Sequence, residues 1–140
     1  SLNRQSDRGI DVKILIAEDD AAGRNILVQF LSPYGTCDPV IDGIETFEAF
    51  AMAVKENRPY DVIILDIMMP KVDGIRVLKA IRDMEEKEHL PQAVVILTTA
   101  LAKESYADET NRLHCHAFLE KPINLREMGK ILENSGWFRS

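Results

Sequence analysis

The stretch Asp61-Val62-Ile63-Ile64-Leu65-Asp66-Ile67-Met68-Met69-Pro70 decides the fold. Four consecutive apolar residues, three of them β-branched, run into a lone acid and a turn closed by proline. A strand with one wet face alternates apolar with polar residues. An unbroken apolar run of this length suits a strand covered on both faces, as in a parallel sheet. Two other segments have the same character, Val12–Ala17 and Ala93–Leu97. Cys37–Ile41 and Ala117–Leu119 are weaker strand candidates.

Between these runs, apolar residues recur at helical spacing. Ile26, Leu27, Phe30 and Leu31 form one stripe, ended by Pro33 and Gly35. Ile44, Phe47, Ala51 and Val54 form a second, stopped before Pro59. Val77, Leu78, Ile81 and Met84 form a third. Leu125, Met128, Ile131 and Leu132 form the last, with Gly136 as its stop signal. The segment Lys103–Arg112 offers only Tyr106 and Ala107 as apolar anchors, which predicts a weakly held helix. Strand and helix thus alternate five times. That order implies an α/β fold, a doubly wound parallel (βα)5 sheet with helices on both faces. The working edge of such a sheet is at the carboxyl ends of its strands.

The chain has 140 residues, with 17 Lys or Arg against 23 Asp or Glu, for a net charge of −6 that disfavours nucleic acid as a partner. At 46% hydrophobic it is too apolar for a disordered chain. No stretch approaches the roughly 20 apolar residues of a membrane span. Ser1–Gly9 lacks the apolar centre of a signal peptide, so residues 1–10 read as a flexible lead-in, a linker or a cloning remnant. One domain is expected over 11–136, with 137–140 as a tail. The absence of an initial Met favours a piece of a longer protein. Two cysteines, Cys37 and Cys115, are too few for a disulfide framework and suit a reducing, cytoplasmic home.

The residues that follow each strand carry the chemistry. The first strand ends in Glu18-Asp19-Asp20, the third in Asp66, the fourth in Thr98-Thr99 and the fifth in Glu120-Lys121-Pro122. In a parallel sheet these ends share one rim. Two carboxylates ~4 Å apart repel by roughly 4 kcal/mol at an effective dielectric of 20, and a hard divalent cation relieves that repulsion. Mg²⁺ (or Mn²⁺) is the expected cofactor. Asp19 and Asp66 are its natural direct ligands, Glu18 stands close behind, and the backbone carbonyl of Met68 can add an oxygen. With its neighbours neutralised, Asp66 can attack phosphorus and become an aspartyl phosphate. Lys121 then pairs with one phosphoryl oxygen, and the Thr98 hydroxyl bonds another.

The chain resembles the receiver domain of two-component response regulators. The matching pieces are Ile14–Asp20, Asp61–Pro70, Asp73-Gly74, Leu97–Ala100 and Phe118–Pro122. Any one of them is weak; all five in order, over residues 12 to about 135, are specific. The resemblance implies a flavodoxin-like sheet of order 2-1-3-4-5. It implies that Asp66 is the phosphoacceptor and that Glu18 and Asp19 hold the metal, Glu18 through water. Thr98 becomes the hydroxyl that moves toward the phosphoryl group, and Phe118 the aromatic whose rotamer follows. It also implies a cis bond before Pro122 and a phosphohistidine donor on a histidine kinase or histidine phosphotransfer domain. The signalling readout, including a dimer or downstream partner, would use the face formed by residues 100–120. Thr99 beside Thr98 makes the threonine assignment sensitive to a shift of one residue.

Two other readings compete with this one. A receiver-shaped interaction module that is never phosphorylated is one. An aspartate-nucleophile phosphatase is another, but Met68 stands where a second acid would be needed. The expectation is a phosphoacceptor that promotes only its own phosphorylation and dephosphorylation, not an enzyme acting on other substrates. No glycine-rich loop follows the first strand, which disfavours a nucleotide binder. His114-Cys115-His116 has no further ligands nearby and reads as structural. Gly74 reads as a backbone requirement, Gly23 as a helix interruption without an evident reason, and Trp137-Phe138 as a core end.

Overall fold

A computed structural model describes residues 11–100 and 113–136. The expected weak helix at 103–112, the lead-in at 1–10 and Trp137-Phe138 lie outside these residues. The described elements run β1 (Val12–Ala17), α1 (Ala21–Leu31), β2 (Gly35–Val40), α2 (Gly43–Lys55), β3 (Val62–Asp66), α3 (Gly74–Lys87), β4 (Val94–Thr99), β5 (Ala117–Glu120) and α4 (Leu125–Glu133). All strand pairs are parallel, in the order β2-β1-β3-β4-β5. The expected doubly wound sheet is the one observed.

The continuous apolar runs do what their composition requires. Every residue of β3 is buried, as is every residue of β4. Successive side chains serve opposite faces. Leu15, Ile63, Leu65, Val95 and Leu97 pack with Phe50 of α2 and Leu78 and Ile81 of α3. Ile14, Ile16, Ile64 and Ile96 pack with Leu27 and Leu31 of α1 and Met128 and Leu132 of α4. The sheet thus separates two cores, each under two of the described helices.

Three expectations are corrected. In α1, Ile26 is 53% exposed, so only the Leu27–Leu31 part of its stripe reaches the core. In α2 the inward face is Gly43, Thr46, Phe50 and Ala53, while Ile44 is 45% exposed. Counting apolar residues widened the first stripe by an exposed residue and shifted the second, whose inward face includes the polar Thr46 and a glycine. The edge strand β2 begins at Gly35 rather than Cys37, and its Pro39 is tolerated because the outer side needs no ladder bond. A Cβ on Gly35 would come 2.1 Å from the Val12 carbonyl oxygen, so the strands can pair this early only around glycine.

The helices at the rim start on side-chain caps that accept backbone N–H bonds: Asp20 from Gly23 (2.8 Å), Asp42 from Glu45 (2.8 Å), Asp73 from Arg76 (3.0 Å) and Asn124 from Glu127 (3.1 Å). Asp20 is therefore spent as a cap, which leaves Glu18 and Asp19 for other work.

Gly74 has a distinct reason. A Cβ there would lie 2.4 Å from the Asp66 backbone oxygen and 2.8 Å from Cα of Ile67. At Gly23 it would meet the flexible Asp20 carboxylate at 3.2 Å. Gly74→Ala should lower stability by about 2 kcal/mol through forced backbone movement beside Asp66. Gly23→Ala should change stability by no more than about 1 kcal/mol, the gain in helix propensity offset by the close Asp20 carboxylate. Urea unfolding of both variants checks the contrast.

Candidate functional site

Three strand ends and one turn converge at the rim. Glu18 follows β1 and is 2% exposed. Its backbone N–H donates to the Val40 oxygen at 3.1 Å, which ties the acid to the end of β2. Its side chain accepts from the Asp20 N–H at 3.1 Å and from Lys121 Nζ at 2.6 Å. Asp66, the last residue of β3, is also 2% exposed. Its Oδ2 accepts from Lys121 Nζ at 2.9 Å and its Oδ1 from the Met68 N–H at 3.0 Å. Asp19 is exposed. One carboxylate oxygen each from Glu18, Asp19 and Asp66 lie within 4.8 Å of one another.

Lys121 reaches this cluster from the turn after β5. Its peptide bond to Pro122 is cis, and its own N–H donates to the Thr99 oxygen at 2.7 Å. One ammonium therefore bridges two buried carboxylates that belong to different strands.

The electrostatics follow from burial. Desolvation is the main reason that the Glu18 carboxyl titrates above the ordinary range; the Lys121 and Asp20 hydrogen bonds oppose it, and the charge on Asp66 adds to it. Burial alone would lower Lys121, but its bonds to Glu18 and Asp66 outweigh that and hold it above the usual lysine value. The donor set is three carboxylates without thiol or imidazole, two of them buried, with a single ammonium offsetting their charge. Those residues fit a hard, oxygen-seeking divalent cation.

The threonines separate by face. Thr98 is paired with Leu119 and Asp66, on the α1/α4 side of the sheet. Thr99 has the parity of Leu97, which is paired with Phe118 and packs on the α2/α3 side. Thr98 and Thr99 are both buried, but Thr99 is the hydroxyl that shares a face with Phe118. The expected Thr98–Phe118 coupling is thus corrected by one residue: in a strand, that shift changes face. Strand parity was the available signal.

Met68, offered for its backbone carbonyl, is fixed through its N–H to Asp66, and its side chain is 53% exposed. Arg24 was missed. Its guanidinium donates to the backbone oxygens of Glu18 (3.1 Å) and Asp19 (3.3 Å), bracing the acidic turn from α1. Two clefts flank the site. One of about 570 Å³ lies between Asp19 and the turn Met68-Met69-Pro70. The other, about 490 Å³, has Glu18 and Lys121 beside the apolar Ile26, Leu27, Ile123 and Leu125.

A family model described as the response regulator receiver domain matches residues 14–133. Hybrid signal transduction histidine kinase L of Dictyostelium discoideum is 32% identical over 131 residues, 89% of this chain but 7% of that protein. Transcriptional regulatory protein CiaR of Streptococcus pneumoniae is 34% identical over 134 residues, 91% of this chain and 54% of that protein. The chain therefore spans about half of one relative and a small part of the other. Among solved structures, the CheX-CheY-BeF3-Mg+2 complex from Borrelia burgdorferi is similar with a TM-score of 0.75 and 27% identity, covering 91% of each chain.

Removing the bridging ammonium tests this electrostatic picture. Lys121→Met leaves two buried carboxylates facing each other and should cost about 2 kcal/mol without metal, less than for a fully buried pair because Lys121 is partly exposed. Glu18→Gln in that background should recover most of the loss. Folded-state values of Glu18 and Lys121 are both raised, so each contributes most below its ordinary value and loses that contribution as pH rises through the raised one. Metal-free wild type should accordingly lose stability as pH rises above the ordinary glutamate range on account of Glu18, and again as it rises above the ordinary lysine range on account of Lys121, measured by urea unfolding.

Proposed function

Since this chain belongs to the response regulator receiver family, we propose that Asp66 is its phosphoacceptor, taking a phosphoryl group from a histidine of a kinase or phosphotransfer partner. The observation that carries the reading is the Lys121 ammonium held between Glu18 and Asp66, beside exposed Asp19. The family places the chain in two-component signalling.

Asp66 sits at the carboxyl end of a buried strand, its side chain largely enclosed beside the exposed Asp19. Its carboxylate oxygen attacks phosphorus, the P–N bond of phosphohistidine breaks, and the imidazole leaves with the electron pair. The Met68 N–H holds the other carboxylate oxygen and fixes the angle of approach. Lys121 already touches the attacking group; it keeps its bond to Glu18 while turning to a phosphoryl oxygen. Glu18, Asp19, Asp66 and the Met68 carbonyl would hold Mg²⁺ or Mn²⁺. When bound, that ion supplies charge neutralisation among the carboxylates and on the phosphoryl oxygens. Thr99, rather than Thr98, is the hydroxyl assigned to follow the phosphoryl group, since it shares a face with Phe118. The readout is assigned to the surface about Phe118.

The domain acts on itself. Met68, two positions beyond Asp66, brings no second acid for rapid hydrolysis, which supports a signalling role over a phosphatase. A cytoplasmic site of action belongs to the same reading. Both described cysteines are free, and no helix among the described residues is long and apolar enough to cross a membrane. The apolar cleft beside Lys121, with Ile26 exposed at its edge, supports docking of the donor over α1.

Incubation with Mg²⁺ and acetyl phosphate should add about 80 Da, the mass of one phosphoryl group, to the wild-type chain. Asp66→Asn should show no adduct by intact mass. An unmodified wild type would count against the phosphoacceptor reading and for a non-phosphorylated module. Ile26→Asp should leave labelling by acetyl phosphate unchanged but slow transfer from a phosphorylated histidine phosphotransfer domain at least tenfold, followed by loss of label from the donor.

A further inference from the structure

Arg82 and Glu85 on α3 form a buried ion pair (2.8 Å) far from the acidic rim, at 8% and 3% exposure. Neither residue belongs to the proposed chemistry. The pair reaches two other pieces of chain. Arg82 Nη1 also donates to the Ala93 oxygen at 3.1 Å, and Glu85 accepts the Ala93 N–H at 2.6 Å, so both backbone groups at the entry to β4 are taken. Arg82 Nε and Nη2 donate to two successive carbonyls, Leu113 (2.9 Å) and His114 (2.9 Å), on the chain entering β5. His114 lies in the left-handed region, φ 56°, which turns its carbonyl out of the strand path. Two residues on, the His116 N–H begins the pairing with β4 by donating to the Val95 oxygen at 2.9 Å.

The strand being entered is weakly specified by itself. β5 has four residues, lies at the sheet edge, and has one fully buried side chain, Leu119. Short, half-exposed edge strands are prone to slip, and a slip of one residue exchanges their faces. Here it would exchange Phe118 with Leu119 and displace Lys121 from Glu18 and Asp66. One planar guanidinium that grips the start of β4 and the approach to β5 together measures the distance between them.

We propose that the Arg82–Glu85 pair is a positioning device that sets the register of β5 on β4, and through it the placement of Lys121 and Phe118. The register claim stands on geometry alone; its consequence for phosphorylation rests on the Asp66 reading.

The test is Arg82→Lys, which keeps the charge against Glu85 but loses the fork needed for two adjacent carbonyls. Hydrogen exchange of the His116 and Lys121 amides should quicken at least tenfold, while the amides of β1 and β3 stay within about twofold of wild type, as expected for local opening. At equal folded fraction, labelling by acetyl phosphate should slow severalfold. The double variant R82M/E85M, which leaves neither charge alone in the interior, carries the same expectations. Exchange that rises uniformly across the sheet, or not at all, overturns the register claim, as does failure of both variants to fold. Faster β5 exchange with unchanged labelling overturns its link to Lys121. Should wild type accept no phosphoryl group, the Asp66 reading fails, and the exchange data still judge the register.

Discussion

Everything at the rim answers to one constraint: two carboxylates are buried at strand ends, with a third close by, and one ammonium stands between the buried two. Burying such a cluster without partners would be prohibitive. The arrangement is tolerable because each buried oxygen is met: Glu18 by Lys121 and the Asp20 N–H, Asp66 by Lys121 and the Met68 N–H. It is also unfinished, since one positive charge faces three negative ones. That deficit of positive charge is what suits the site to a divalent cation and a phosphoryl group.

The sheet supplies the geometry for this. Parallel pairing brings the ends of β1, β3, β4 and β5 to the same level, so side chains 48 residues apart in sequence, Glu18 and Asp66, become neighbours without any loop having to hold them. Continuous apolar burial below them keeps the strands rigid. The helix caps Asp20, Asp42 and Asp73 absorb other acids of the rim, so its charge is less than a count of carboxylates suggests. Gly74 lets the turn after β3 fold back onto Asp66's own backbone, which keeps the Met68 N–H aimed at the carboxylate.

What could be read from the sequence and what could not divides along physical lines. The strands with unbroken apolar runs were legible because burial on both faces leaves that signature. So were Glu18, Asp19, Asp66 and Lys121, since strand ends in a parallel sheet must meet. Phase was less legible. The α2 stripe through Ile44 was placed one residue away from the true inward face because Thr46, buried with its hydroxyl bonded to the Asp42 oxygen, counted as polar. Thr98 and Thr99 could be told apart only with the pairing to β5 in hand. Arg24, Arg82 and Glu85 were invisible because they hold backbone groups, carbonyl oxygens for the two arginines and the Ala93 N–H for Glu85, which have no identity in a sequence.

The last of these has the widest consequence. A charged residue on an amphipathic helix is ordinarily taken for a solvated face, and Arg82 and Glu85 sit four and three positions from Leu78 and Arg82 like any such pair. Buried as they are, they let α3 touch the surroundings of the site at two places. Its N-terminus is pressed onto Asp66 at Gly74, and its C-terminal half grips the approach to β5, the strand that leads to Lys121. The helix therefore spans the two ends of the acid–ammonium contact through rigid secondary structure, without touching the reacting atoms. A displacement of β5 would be resisted at its entry by the guanidinium and registered at its exit by the ammonium. Asp66 and β5 meet directly through Lys121 and through their shared pairing with β4, and α3 braces that contact from outside, at Gly74 beside Asp66 and at Arg82 beside the approach to β5.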